Sequence, residues 1–290
     1  MKVILLSDLH IVPDGKDSWG INPLLRLRAA VDGIIAYHAD AEICVILGDI
    51  ANKGETAAYQ LAAKELARLP MPFYLLAGNH DKRENMRGVF REQPEGFMQQ
   101  IVCASDGDFI LLDRVKDGSA DGEFCAVRAE WLKQTLAVTA RPVFICMHHP
   151  SVELGLPEDE IMLNDTGELI AAIDTAPEKI RHFIFGHTHA TVNGVWRGIP
   201  FAALRSLVQQ GFFTIGSEPA EFTRTPPRTT AFLSPMKNKL SYTITAFWKT
   251  PPPAAMMIDY WNGLYDYSYL SPLCLSHPLM CRPSGSWCVQ

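Results

Sequence analysis

Five short apolar runs, each stopped by an aspartate, asparagine or histidine, punctuate the first 190 residues. They are "KVILLS" before Asp8, "EICVILG" before Asp49, "PFYLLAG" before Asn79, "PVFICM" before His148 and "HFIF" before His187. Runs of this length, rich in branched residues and closed by polar or turn-forming residues, predict β-strands. Stretches of helical periodicity lie between them. Strands alternating with helices predict an α/β fold whose near-continuous apolar strands are covered on both faces. Ligands in open α/β sheets bind beyond the carboxyl ends of the strands, so five such strand ends are positioned to meet in one place.

The helices are read from spacing and caps. Asn22 is a candidate N-cap with Pro23 at the first helical position, and Leu24, Leu27, Val31 and Ile34 recur at helical spacing, which predicts a helix over 23–37. Alanine content and the stripe Ala58, Leu61, Ala62, Leu66, Leu69 predict a second over 55–69, and further helices are expected over 126–138 and 166–174. The stretch 82–125 is less regular, with "DFILLD" its clearest strand. After residue 191 the pattern changes to "TVNGVWRGIPFAAL", "TAFLSP" and "KLSYTITAFW", strand-like pieces expected to complete a second sheet packed on the first. From about residue 250 the composition shifts again, to many aromatics with no lysine or glutamate. This predicts a principal domain over 1–249 and a C-terminal accessory segment over 250–290.

Composition narrows the function classes. The chain is long enough to bury a large core, and 48 % apolar with 20 % charged residues is ordinary for a soluble globular protein. A net charge of −6 gives no basic footprint for duplex nucleic acid or an acidic membrane. The opening "MKVILLSDLH" is too short in its apolar run for a signal peptide, and no stretch reaches the ~20 apolar residues of a membrane span. Cys44, Cys103, Cys125 and Cys146 are scattered singly, as reduced thiols would be. A cytoplasmic location is the expectation.

The strand ends carry the chemistry. Asp8 with His10, Asp49, Asn79 with His80, His148, and His187 with His189 together offer more carboxylate, imidazole and amide donors than one four-coordinate zinc needs. They suit a pair of divalent cations about 3.5 to 4 Å apart bridged by a carboxylate. Asp49, the isolated carboxylate among ligand pairs, is the natural bridge. A continuing strand would put His187 and His189 on one side of the chain, where they could share an ion.

The set "DLH", "GDIANKG", "GNHD", "MHHP" and "GHTH", in this order, resembles the calcineurin-like metallophosphoesterase superfamily, and within it the class III cyclic-nucleotide phosphodiesterases and related glycerophosphodiesterases. The resemblance covers about residues 1 to 210. It implies a four-layer α/β/β/α sandwich and two divalent metal ions drawn from Mn, Fe, Co or Zn. It implies that Asp8, His10, His189 and the bridging Asp49 hold one ion, and Asp49, Asn79, His148 and His187 the other, which splits the histidine pair. His149 then has a supporting role. His80 would face the substrate phosphate and protonate the leaving oxygen, a task suited to an imidazole near neutral pH.

Departures from the superfamily's other branches narrow the class. Serine/threonine protein phosphatases carry "GDxxDRG" and "GNHE", whereas "GDIANKG" here lacks the phosphate-binding arginine, and Asn52 stands where an aspartate would orient the histidine. DNA-processing members usually add a larger cap. The resemblance therefore implies a dinuclear-metal phosphodiesterase hydrolysing a small-molecule diester, a 3′,5′-cyclic nucleotide such as cAMP or a glycerophosphodiester, by attack of metal-bound hydroxide. The alternatives are a phosphomonoesterase of the same fold and a non-catalytic nucleotide-binding module. Lys53 and Arg205 are candidates for substrate contact. Cys274, His277, Cys281 and Cys288 offer a loose zinc spacing, and "MMIDYWNGLYDYSYL" offers a subunit contact for an expected homo-oligomer.

Overall fold

Alternation along the strands sorts their side chains into three apolar layers. In β1 (Val3–Leu6) Ile4 and Leu6 join one cluster and Val3 and Leu5 another. In β2 (Ile43–Ile46) Cys44 and Ile46 go with the former, Ile43 and Val45 with the latter. In β6 (Val143–Met147) Val143, Ile145 and Met147 join a third cluster, while Phe144 and Cys146 join the cluster of Val3 and Leu5. Each strand is thus apolar on both faces because both faces are covered. The shared middle cluster lies between two sheets, and the outer clusters pack each sheet against its helices.

The computed structural model describes residues 1–18, 20–154 and 166–210, and the backbone of 228–236 and 239–247. The accessory segment 250–290, its Cys274, His277, Cys281 and Cys288, the expected subunit contact and most of the "LGLPEDE" loop lie outside the described residues.

The first sheet has the order β11-β10-β1-β2-β3, with β3 (Phe73–Leu75), β10 (Arg228–Met236) and β11 (Lys239–Phe247). In it β1, β2 and β3 run parallel, and β10 lies antiparallel to β1 in the register Val3↔Leu233. The second sheet has the order β4-β5-β6-β7-β9-β8, with β4 (Gln100–Ala104), β5 (Gly107–Leu112), β7 (Ile180–Phe185), β8 (Val192–Trp196) and β9 (Ile199–Ala203). Helices α1 (Pro23–Tyr37) and α2 (Thr56–Leu66) contribute to the first outer cluster, and α4 (Ala126–Val138) and α5 (Gly167–Ile173) to the other. The result is the expected four-layer α/β/β/α sandwich.

Local expectations hold in part. α1 starts where its cap predicts, with the Asn22 side chain accepting from the Leu25 amide at 3.0 Å. The buried stripe of α2 runs through Ala58, Tyr59, Ala62, Glu65 and Leu66, so it is rotated to take in Tyr59 and leaves Leu61 only partly covered. The irregular stretch 82–125 holds α3 (Arg83–Val89), too short to show a period, and β4, an edge strand of mixed exposure. Of the pieces after residue 191, β8 and β9 complete the second sheet as expected, while β10 and β11 join the first. β9 pairs in parallel with β7, whereas β10 returns to the first sheet beside β1. Among the described residues, no helix is long and apolar enough to cross a membrane.

Candidate metal centre

All five ligand-bearing strand ends open at one edge of the sandwich. The loops after β1 and β2 run side by side: Asp8 N donates to Gly48 O at 3.1 Å, His10 N to Asp49 O at 2.8 Å and Ile11 N to Ile50 O at 2.9 Å. Left-handed backbone turns the donors inward, with φ of 54° at Asp8, 45° at His10, 51° at Asp49, 70° at His187 and 52° at His189. Such conformations are tolerated better by aspartate and histidine than by branched residues, and cost roughly 1–3 kcal/mol where surrounding structure must impose them. The positive φ also replaces the simple strand alternation first expected of His187 and His189, since β7 ends at Phe185. Gly48, with φ of 98°, has no room for a side chain: a Cβ would stand 2.6 Å from His148 Nδ1 and 2.8 Å from Gly78 N.

Two sets of donors result. His189 Nε2 lies 3.3 Å from Asp8 Oδ1 and 3.0 Å from His10 Nε2. On the other side, Asn79 Oδ1 is 3.1 Å from His148 Nε2 and 3.0 Å from His187 Nδ1. Asp49 lies between them, its Oδ2 3.6 Å from His10 Nε2 and 3.4 Å from His148 Nε2. Candidate ligand atoms of Asp8, His10 and His189 fall within 4.8 Å of one another, as do those of His10, Asp49 and His80 and those of Asp8, Asp49 and His148. His80 is the most open of the group, its side chain 38 % exposed, while Asp8, Asp49, His10 and His148 are buried.

The donor chemistry fits cations. His148 gives its Nδ1–H to Leu47 O at 2.7 Å, which leaves Nε2 facing two further acceptors, Asp49 Oδ2 and Asn79 Oδ1. Acceptors that converge in this way repel unless a proton or a metal ion sits among them. Burial works against a proton on His148, but the Asp49 carboxylate beside it pushes that imidazole up to about 9. Burial would raise Asp8, yet His189 and His148 hold it down at about 2, and Asp49 is likewise held well below the carboxylate range by its histidines. Burial, with His148 close by, lowers His187 to about 3, and its buried Nε2 has no hydrogen-bond partner among the described residues. Burial lowers His10 to about 4 against the pull of Asp49.

Supporting residues hold these donors. Asp8 accepts from the Ser7 hydroxyl and from the His187 amide at 3.2 Å, and its carbonyl accepts from Ser206 Oγ at 2.9 Å. His149 is fully buried, donates from Nε2 to Ala120 O at 3.0 Å and lies with its ring 4.6 Å from that of His187 at a tilt of 42°, the supporting place expected of it. His80 Nδ1 donates to the main-chain carbonyl of Asn52 at 2.7 Å, so the backbone rather than the amide side chain orients it. Of the two substrate-contact candidates, Lys53 is exposed, and Arg205 is half-buried with Nε on Gln210 Oε1 at 2.8 Å.

Two residues were missed in the sequence. Asp81 is 5 % exposed and accepts from the amides of Ile50, Ala51 and Gly78 and from the Tyr59 hydroxyl. Burial, with Asp49 alongside, pushes Asp81 up to about 6 against those backbone bonds. Its only signal was its place at the end of "GNHD", and Tyr59 carried none beyond a helical register.

A model of the calcineurin-like phosphoesterase family matches residues 1–191. Over 225 residues the chain is 33 % identical to a probable cyclic nucleotide phosphodiesterase of Rhodopseudomonas palustris, a match covering 75 % of this chain and 82 % of that protein. It is 26 % identical over 235 residues to a probable glycerophosphodiester phosphodiesterase of Arcobacter nitrofigilis, covering 78 % of this chain and 86 % of that one. Among solved structures, a purple acid phosphatase from yellow lupin (Lupinus luteus) seeds superposes with a TM-score of 0.63 at 11 % identity, over 89 % of this chain and 52 % of that one, a likeness of fold. The family model spans well over half of the chain and takes in every one of the converging donors, from Asp8 to His189; the chain belongs to the calcineurin-like phosphoesterase family.

Proposed function

We propose that this phosphoesterase is a dinuclear-metal phosphodiesterase acting on a small diester, a 3′,5′-cyclic nucleotide or a glycerophosphodiester. The observation that carries the reading is the place of Asp49, a buried carboxylate within 3.6 Å of His10 on one side and 3.4 Å of His148 on the other. Asp8, His10, His189 and Asp49 would hold one divalent ion, and Asp49, Asn79, His148 and His187 the other. When bound, the ions supply a nucleophilic water at neutral pH and neutralise charge on the phosphoryl oxygens. The likeness to a probable cyclic nucleotide phosphodiesterase and a probable glycerophosphodiester phosphodiesterase supports the diester class.

The chain's own residues complete the chemistry. Asp49 is oriented by the His80 amide, which donates to its Oδ1 at 2.9 Å. The His80 ring holds its Nδ1–H on Asn52 O, so the proton passed to the departing alkoxide would come from Nε2–H of the imidazolium form, leaving the neutral Nδ1–H ring. Its partial exposure at the mouth of the buried donors suits contact with a substrate that enters from solvent.

A panel of substrates on the manganese-loaded protein tests the reading. Cyclic AMP, glycerophosphoethanolamine and bis(p-nitrophenyl) phosphate should be cleaved faster than p-nitrophenyl phosphate. Preference for the monoester would make the chain a phosphomonoesterase, and nucleotide binding without turnover a binding module.

A further inference from the structure

Asp81 ties together the two loops that carry Asp49 and Asn79. Its carboxylate accepts from Ile50 N at 3.1 Å and Ala51 N at 3.0 Å in the loop after β2, and from Gly78 N at 2.9 Å in the loop after β3. Tyr59, fully buried on α2, donates its hydroxyl to Asp81 Oδ1 at 2.9 Å and accepts from Lys82 N at 2.9 Å. The Tyr59 ring is fixed in the outer core against Phe90. The loops it joins have no slack: a Cβ at Gly78 would overlap the Asp49 carboxylate and stand 2.5 Å from its main-chain nitrogen.

The tie acts on one donor set more than the other. Asp49 serves both donor sets, whereas Asn79, on the second of the tied loops, belongs with His148 and His187 alone. Asp8, His10 and His189 come from the ends of β1 and β7, with which the Asp81 carboxylate forms no hydrogen bond among the described residues. The loop after β1 is one step removed, joined to the tied segment by the main-chain bonds of His10 to Asp49 and Ile11 to Ile50. The left-handed Asp49 is followed at once by the two amides that Asp81 holds, Ile50 and Ala51. A backbone in that region persists where its neighbours are over-determined, and Asp81 supplies that constraint.

Resting on the two-ion reading above, we infer that Asp81 and Tyr59 form a positioning unit that sets the spacing of Asp49 and Asn79 and thereby controls affinity for the ion held by Asp49, Asn79, His148 and His187. Neither residue reaches the reacting atoms. Their work is done through the main chain, from the packed face of α2 to the rim of the centre.

Tyr59→Phe and Asp81→Asn test this, with manganese as the probe. Groups that orient ligands typically change metal affinity or activity about 10- to 100-fold when lost. Calorimetric titration should show two ions per chain in the parent, and in Tyr59→Phe one ion bound within about twofold of the parent and the other about 10-fold more weakly. Excess manganese should restore kcat with KM unchanged, which a general loss of stability would not allow. In metal-free protein the amides of Ile50, Ala51 and Gly78 should exchange with solvent faster in both variants than in the parent. Equal weakening of both ions, weakening of neither, or unchanged exchange at those amides overturns the inference while the parent's two ions and diester cleavage stand. A parent that takes up no second ion overturns the functional reading and this inference with it.

Discussion

The main-chain amide of His80 donates to Oδ1 of Asp49 at 2.9 Å, and the ring of the same residue approaches Oδ2 at 3.9 Å. The imidazole proposed as the proton donor and the carboxylate lying between two donor sets are therefore held in one unit. The hydrogen bond from the main-chain amide survives side-chain truncation at position 80, so the two roles can be separated by mutation.

His80→Ala should leave metal content unchanged and lower kcat on an alkyl diester such as cyclic AMP by about 10²- to 10⁴-fold. A p-nitrophenolate leaving group needs little help from an acid, so bis(p-nitrophenyl) phosphate should lose less than about tenfold. Equal losses on both substrates in steady-state assays would remove His80 from the proton-transfer step.

Asn52→Ala should keep activity within about twofold, because His80 is oriented by the carbonyl of residue 52 and surface or side-chain changes that spare such a bond cost little. A loss as large as that of His80→Ala would return the orienting role to the Asn52 side chain. The comparison needs only kcat on one diester for the two variants.

The donors were legible because they fall at the ends of apolar runs, where a strand must stop and a side chain can face a shared edge. Sheet membership was not. Strands apolar on both faces look alike whether they belong to one sheet or two, so the division between β1–β3 and β5–β7 and the return of β10 to β1 left no mark on periodicity. Asp81 was hidden for a related reason. Its partners are backbone amides of Ile50, Ala51 and Gly78, and an amide carries no residue identity to read. Likewise Asn52 suggested a side-chain contact where the fold uses the main chain.

His182, 3 % exposed on β7, gives a pH test of the core away from the metal donors. Burial lowers its folded value to about 3, while an unfolded chain takes up the proton near the ordinary ~6.5. Between those values the unfolded state binds more protons, so stability is full above about pH 6.5 and is lost as the pH falls. The loss from pH 7 to 5 attributable to this residue is about 2 kcal/mol. His182→Gln should flatten the slope of urea-unfolding free energy against pH by that amount, whatever its effect at pH 7. An unchanged slope would mean that His182 is protonated alike in both states.

The central claim is that Asp49 joins two ions, and metal content measured beside diesterase activity in the parent and in Asp49→Ala tests it most directly. After loading with manganese and removal of free ion, the parent should carry two ions per chain and cleave bis(p-nitrophenyl) phosphate, and Asp49→Ala should lose both ions and the activity. A parent with a single ion, or an Asp49→Ala protein that hydrolyses the diester at the parent rate, would contradict it.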